Sequence, residues 1–67
     1  MNRDLDRLVS QMVDGGILYA DAVREFERRF LQQALARSEG SITRCATLTG
    51  LHRNTLTRKI AEHRLKD

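Results

Sequence analysis

Apolar residues return every three or four positions along this 67-residue chain, and no proline interrupts them. That is the period of one face of an α-helix; a half-buried strand would alternate instead. The four glycines stand at three places, 15–16, 40 and 50, and cut the pattern into four segments. With few aromatics and much Ala, Leu, Arg and Glu, the chain reads as all-α, four helices in a single domain over 1–67. A domain this small buries little apolar surface and usually relies on a disulfide, a metal or self-association. Cys45 has no second cysteine to pair with, and no Cys/His cluster has zinc-ligand spacing. Self-association is the aid that remains, and no cofactor is expected. No apolar run approaches the roughly 20 residues of a membrane span, and no signal-peptide pattern opens the chain, so a cytoplasmic location is expected.

The first helix is expected over 3–13. Leu5, Leu8, Val9, Met12 and Val13 fall at i, i+3, i+4, i+7 and i+8, one clean apolar face. Asn2 can cap its start, Asp4 and Asp6 suit the positive end of its dipole, and Gly15-Gly16 stop it. The second helix should begin near 19–21 and reach about 38. Val23, Phe26, Phe30 and Ala34 form one seam, which Ala22, Leu31 and Leu35 widen well past a single stripe. So broad an arc needs contacts on two sides, of which its own domain can supply one and a second copy the other. On that reading residues 1–39 form the dimerisation unit of a homodimer, an arrangement that the family resemblance given below implies, with Leu5, Leu8, Val9, Met12, Val23, Phe26 and Phe30 as the candidate interface and Phe30 buried. Glu25 can pair with Arg28 or Arg29 at helical spacing. Glu39-Gly40 ends the helix, with Gly40 placed to turn left-handed.

Residues 41–60 read as two short helices joined at Gly50. The third helix, about 42–49, takes Ser41 as its N-cap and carries Ile42, Cys45 and Ala46 on one side. The fourth, from 53 to 63 or 64, follows His52 at the cap position. Ala46 lets the two helices approach closely, Gly50 permits positive φ in the turn, and Leu51 and Leu56 fill the wedge between them. This is the layout of a helix-turn-helix, in which one helix braces a second that enters the DNA major groove. Charge agrees with that layout. Residues 1–39 hold six Arg against seven Asp or Glu, whereas 40–67 hold six Lys or Arg against two acidic residues. An excess confined to one half points to a polyanion, here double-stranded DNA.

On the fourth helix Leu56, Ile60 and His63 share a face, with His63 expected to pack at the end of the seam. Asn54, Thr55, Arg58 and Glu62 occupy the opposite face, with Lys59 at its flank. Asn and Arg can bond base edges in pairs, and Thr can meet a thymine methyl or a phosphate. Ser41, Thr43, Arg44, Arg53 and Lys59 lie where phosphates would pass. Glu62, Arg64 and Lys66 read as solvated.

From about 27 to 65 the chain resembles the Fis-type helix-turn-helix, shared by the small nucleoid protein Fis and the C-terminal DNA-binding domains of NtrC-type activators. The resemblance rests on Leu31-Gln-Gln-Ala-Leu35, Gly40-Ser-Ile-Thr-Arg-Cys-Ala46 and Thr49-Gly-Leu-His-Arg-Asn-Thr-Leu-Thr-Arg-Lys-Ile60. It implies that Arg53 is a dominant DNA contact, that His52, Thr55 and Arg58 lie at the groove, and that Thr43, Arg44 and Lys59 contact or flank the backbone. It implies a four-helix fold whose first two helices intertwine with a second copy, giving a dimer that binds and bends DNA. His52 stands where the family often has Asn or Ser, and Ser41 replaces a frequent Asn. The chain opens at its first helix, so the recombinase-contacting arm of Fis, and the receiver and ATPase domains of NtrC relatives, are not expected of it.

Other classes fare less well. His52 and His63 are eleven residues apart on different faces, without a carboxylate pair or a glycine-rich phosphate loop, so catalysis is not expected. Cys45, on the buried side of its helix, reads as a small hydrophobe. An RNA reader would need an aromatic stacking platform, and Tyr19, Phe26 and Phe30 are expected in the helical core instead. The main alternative is a protein–protein interaction module that docks on a larger regulatory complex without touching DNA.

Overall fold

The computed structural model describes residues 3–65, and over these the chain is all-α. Four helices follow in order, α1 (Arg3–Asp14), α2 (Tyr19–Arg37), α3 (Ile42–Thr49) and α4 (Arg53–His63). Asn2, the expected cap of α1, and Lys66 lie outside the described residues. None of the helices is long and apolar enough to cross a membrane among the described residues.

Each helix ends where its local chemistry stops it. At the end of α1 the Ile17 N–H bonds back to the Met12 carbonyl at 3.0 Å, and Gly16 takes φ 74°. The end of α2 is tighter. Ser38 Oγ donates to the Ala34 carbonyl at 2.8 Å, and the Gly40 N–H reaches the Leu35 carbonyl at 3.1 Å. Glu39 as well as Gly40 lies at positive φ, 53° and 77°, so the reversal between α2 and α3 takes two left-handed residues rather than the expected one. Such a reversal satisfies the last carbonyls of α2 within a few residues and starts α3 at once. At the end of α3, Gly50 caps at φ 76° with its N–H on the Ala46 carbonyl at 2.9 Å. Nothing lies within 4 Å of where a Cβ would sit at Gly50. Its requirement for glycine is therefore conformational, not steric.

The core is built from the second half of α2, α3 and α4. Leu31, Ala34 and Leu35 of α2 meet Cys45 of α3 and Leu56 of α4, all buried, and Ile42, Ala46, Leu51, Ile60 and Leu65 pack around them. Buried Ser38 is tolerated because its hydroxyl is spent on the Ala34 carbonyl. α3 packs against both α2 and α4 and so stands between them.

The first half of the chain departs from expectation. α1 buries no residue. Tyr19, Phe26 and Phe30, expected in the core, are 85%, 61% and 49% exposed. The Phe26 and Phe30 rings stack loosely on each other, centroids 5.6 Å apart, rather than on the rest of the domain. The physical reason is that α2 presents two faces. Glu27, Leu31, Ala34 and Leu35 turn toward α3 and α4, while Val23, Phe26 and Phe30, about a quarter turn away, meet no layer among the described residues. The Cα radius of gyration, 13.5 Å, exceeds the roughly 11 Å expected of a compact domain of this length. The accessible surface, 5650 Å², likewise exceeds the roughly 4,300 Å² expected of a folded monomer of this mass.

Leu56→Ala is expected to lower stability by about 2–5 kcal/mol, because its side chain is fully enclosed. Leu48, more than half exposed, should tolerate the same change within about 0.5 kcal/mol. Urea midpoints of the two variants against the parent protein check this contrast.

Candidate nucleic-acid interface

Two helix starts carry most of the expected binding residues. At α3, Ser41 Oγ accepts a hydrogen bond from the Arg44 N–H at 3.2 Å, which leaves other amides of the first turn free to face an anion. Thr43 and Arg44 are exposed beside it, and Arg44 Nη1 lies 3.6 Å from Glu39 Oε1. At α4, His52 Nδ1 accepts from the Asn54 N–H at 3.1 Å, so an imidazole does the capping that Asn or Ser would do. With Nδ1 accepting, a neutral ring carries its proton on Nε2, which points a donor outward.

Arg53 and Asn54 are exposed in the first turn of α4, and Thr55 is half-buried. The Arg53 side chain has no ion pair or side-chain hydrogen bond among the described residues; its backbone carbonyl accepts from Thr57 Oγ1 at 3.0 Å. Arg58 follows Asn54 by one turn and donates from Nη1 to Glu62 Oε1 at 3.1 Å. Both members of that pair are more than half exposed, as are both members of the Arg44–Glu39 pair. Exposed pairs of this kind are worth little, about 0–1 kcal/mol, and a phosphate can replace the carboxylate.

Lys59 and His63 sit differently. Lys59 Nζ donates to Glu27 Oε2 and His63 Nε2 lies on Glu27 Oε1, each at 2.8 Å. An ionised carboxylate only accepts, so His63 is the donor in that contact. The side chains are 23%, 7% and 28% exposed for Lys59, His63 and Glu27. His63 thus closes the apolar seam as expected, but with a polar contact to α2 at its end. The bond from Lys59, then that from His63, hold the Glu27 carboxyl below the usual carboxylate range, against a smaller opposing effect of burial. Sequence reading did not single out Glu27, because 32 and 36 residues separate it from its partners. Helical spacing carries no signal across that distance.

Glu27, Glu62 and His63 bring ligand atoms within 4.8 Å of one another. The chain's own cations already neutralise both carboxylates, Lys59 on Glu27 and Arg58 on Glu62. A metal would have to displace an ammonium and a guanidinium to bind there.

The expected dimer residues form a separate group. Leu5, Leu8, Val9, Val23, Phe26 and Phe30 are 38–61% exposed on α1 and the first half of α2, and Met12 is half-buried.

With this geometry in hand, the comparison with known proteins gives the family. Residues 22–63 match the model of the Fis family of bacterial regulatory proteins, and the chain belongs to that family. It is 40% identical over 63 residues to a protein of Xylella fastidiosa named as a Fis-like DNA-binding protein, covering 94% of this chain and 64% of that one. It is 47% identical over 47 residues to the DNA-binding transcriptional regulator NtrC of Proteus hauseri, covering 70% of this chain and 10% of that protein. The chain thus spans less than two thirds of the length of both relatives. No solved structure matches it significantly.

The lowered Glu27 value fixes a sign. A carboxylate whose folded pKa is depressed contributes stability above its unfolded pKa, about 4.3, and loses it as pH falls through the folded value. Glu27→Gln should therefore be less stable than the parent protein near neutrality, with the gap closing as pH falls below the usual carboxylate range. Urea midpoints measured between pH 7 and pH 3 would show the two curves converge; parallel curves would refute the assignment.

Proposed function

We propose that this protein binds double-stranded DNA as a homodimer and acts in the bacterial cytoplasm, at the nucleoid, as a transcription regulator or DNA-bending architectural protein. The observation that carries the reading is the start of α4. Arg53, with no side-chain partner among the described residues, stands beside Asn54 and the His52 cap, on a helix held against α3 by Leu56 and Cys45. Asn54, Thr55 and Arg58 present donors and a methyl suited to base edges. Ser41, Thr43 and Arg44 at the start of α3 suit phosphates. Residues 40–67 act as the reading unit and 1–39 as the dimerisation unit. Membership in the Fis family and likeness to two proteins named for DNA binding support the same reading.

Three features support a second copy as the cover for α1 and the first half of α2. The apolar face there includes Leu8, Val9, Val23, Phe26 and Phe30. The excess accessible surface over a compact monomer, roughly 1,300 Å², matches what one partner contributes to a large, permanent interface. A single recognition helix reads few base pairs, so a twofold pair on a degenerate palindromic site is the economical arrangement.

Arg53→Ala should cost about 1–3 kcal/mol of DNA affinity, a loss of roughly fivefold to 150-fold, with helicity unchanged; gel shifts and circular dichroism check it. Binding equal to the parent's would instead favour the protein-interaction module. Phe26→Ala and Phe30→Ala should raise the dimer dissociation constant while leaving the Leu31–Leu35–Cys45–Leu56 core in place. Sedimentation equilibrium reads that shift, and a parent protein monomeric at high micromolar concentration would overturn the dimer.

A further inference from the structure

We infer that Glu27 is a positioning residue that withholds Lys59 from the DNA backbone, so that this lysine adds no phosphate contact in the bound state. The inference rests on the DNA-binding reading above. Lys59 stands one helical turn beyond Thr55 on α4, next to the face assigned to the groove. Its flexible four-carbon stem would let the ammonium swing toward a phosphate. What prevents this is the way its charge is already used. The other two pairs near the site, Arg58–Glu62 and Arg44–Glu39, join exposed side chains, 52–83% accessible, at 3.1 and 3.6 Å. Solvent and salt screen them, and phosphate competes on equal terms. Lys59 is 23% exposed and sits 2.8 Å from a carboxylate that His63, 7% exposed, also holds at 2.8 Å. Moving Lys59 to a phosphate would leave a partly buried carboxylate with one donor in place of two, and a charge shielded from water loses more by giving up a donor than a solvated one does. The same bonds tie the C-terminal half of α4 to the middle of α2. A helix already held to α2 and α3 by Leu56 thereby gains a polar anchor nearer its C-terminal end, on the helix assigned to dimerisation.

The chain has two lysines, Lys59 and Lys66, so lysine chemistry can be read residue by residue. The test compares the full chain and Glu27→Gln on a random-sequence duplex, across a salt series. Each phosphate contact steepens the fall of log affinity with log salt by about 0.9. Glu27→Gln should therefore steepen the slope by about 0.9 per bound chain, and Glu27→Gln with Lys59→Ala should return it to the parent value. Acylation by a lysine-selective ester, located by mass spectrometry, gives a second measurement that the parent protein alone can supply. In the parent, DNA should leave the Lys59 acylation rate unchanged; in Glu27→Gln, DNA should protect Lys59. Protection of Lys59 by DNA in the parent overturns the inference, as does an unchanged slope in a folded Glu27→Gln. Should Glu27→Gln fail to fold, the acylation of the parent decides. A parent protein that does not bind the duplex at all defeats the DNA-binding reading instead, so the two failures are distinct.

Discussion

Everything that positions the candidate site depends on the contact of Leu31 and Leu35 with Cys45 and Leu56 across α2, α3 and α4. α3 is only eight residues long and would not persist alone. It persists because Cys45 is fully enclosed between α2 and α4, and because Ser41 and Gly50 satisfy its ends. A sulfhydryl is small enough to let two helix backbones close on α3 from both sides, and Ala46 and Ala34 continue that economy of volume. The orientation of α4, and hence of Arg53 and Arg58, follows from this packing and not from any bond those side chains make.

A core of five buried hydrophobic side chains among the described residues is small, and a second apolar surface there stays uncovered. Both facts have one origin in α2. Leu31, Ala34 and Leu35 lie within the domain, whereas Val23, Phe26 and Phe30 on the preceding turns lie outside it. A 19-residue helix runs roughly 28 Å, far longer than the eight-residue and eleven-residue helices that cover its second half. Length and facing together leave Val23, Phe26 and Phe30 without a layer, and α1 buries none of its own residues against them.

Local features were legible in the sequence to within a residue or so. Gly15-Gly16 stop α1, Gly40 and Gly50 mark left-handed positions, and Ser41 and His52 cap α3 and α4. These are legible because each depends on backbone conformation and on donors a few residues away. The burial of Cys45 and Leu56 was legible for the same reason, since helical spacing defines a face. Spacing does not say what covers a face. Hence spacing predicts a core at Tyr19, Phe26 and Phe30 that the described residues do not extend to them. Nor does spacing predict a polar contact between distant helices. Spacing puts Lys59 at the flank of the outward face and His63 on the apolar seam, and their common partner Glu27 emerges only when α2 and α4 are folded together.

The electrostatics of the basic half then resolve into two kinds of positive charge. Arg53, with no side-chain partner among the described residues, and Arg44 and Arg58, in exposed pairs, carry charge that a polyanion can claim at little cost. Lys59 carries charge already committed to holding two helices together. Counting basic residues overstates the charge available to a partner, because a partly buried, doubly bonded carboxylate competes with phosphate far better than a solvated one. The chain thus separates grip from architecture within a single helix. Its first turn and its outward face carry exposed charge, and its flank at Lys59 and His63 adds a polar contact with Glu27 of α2 to the apolar packing that orients it.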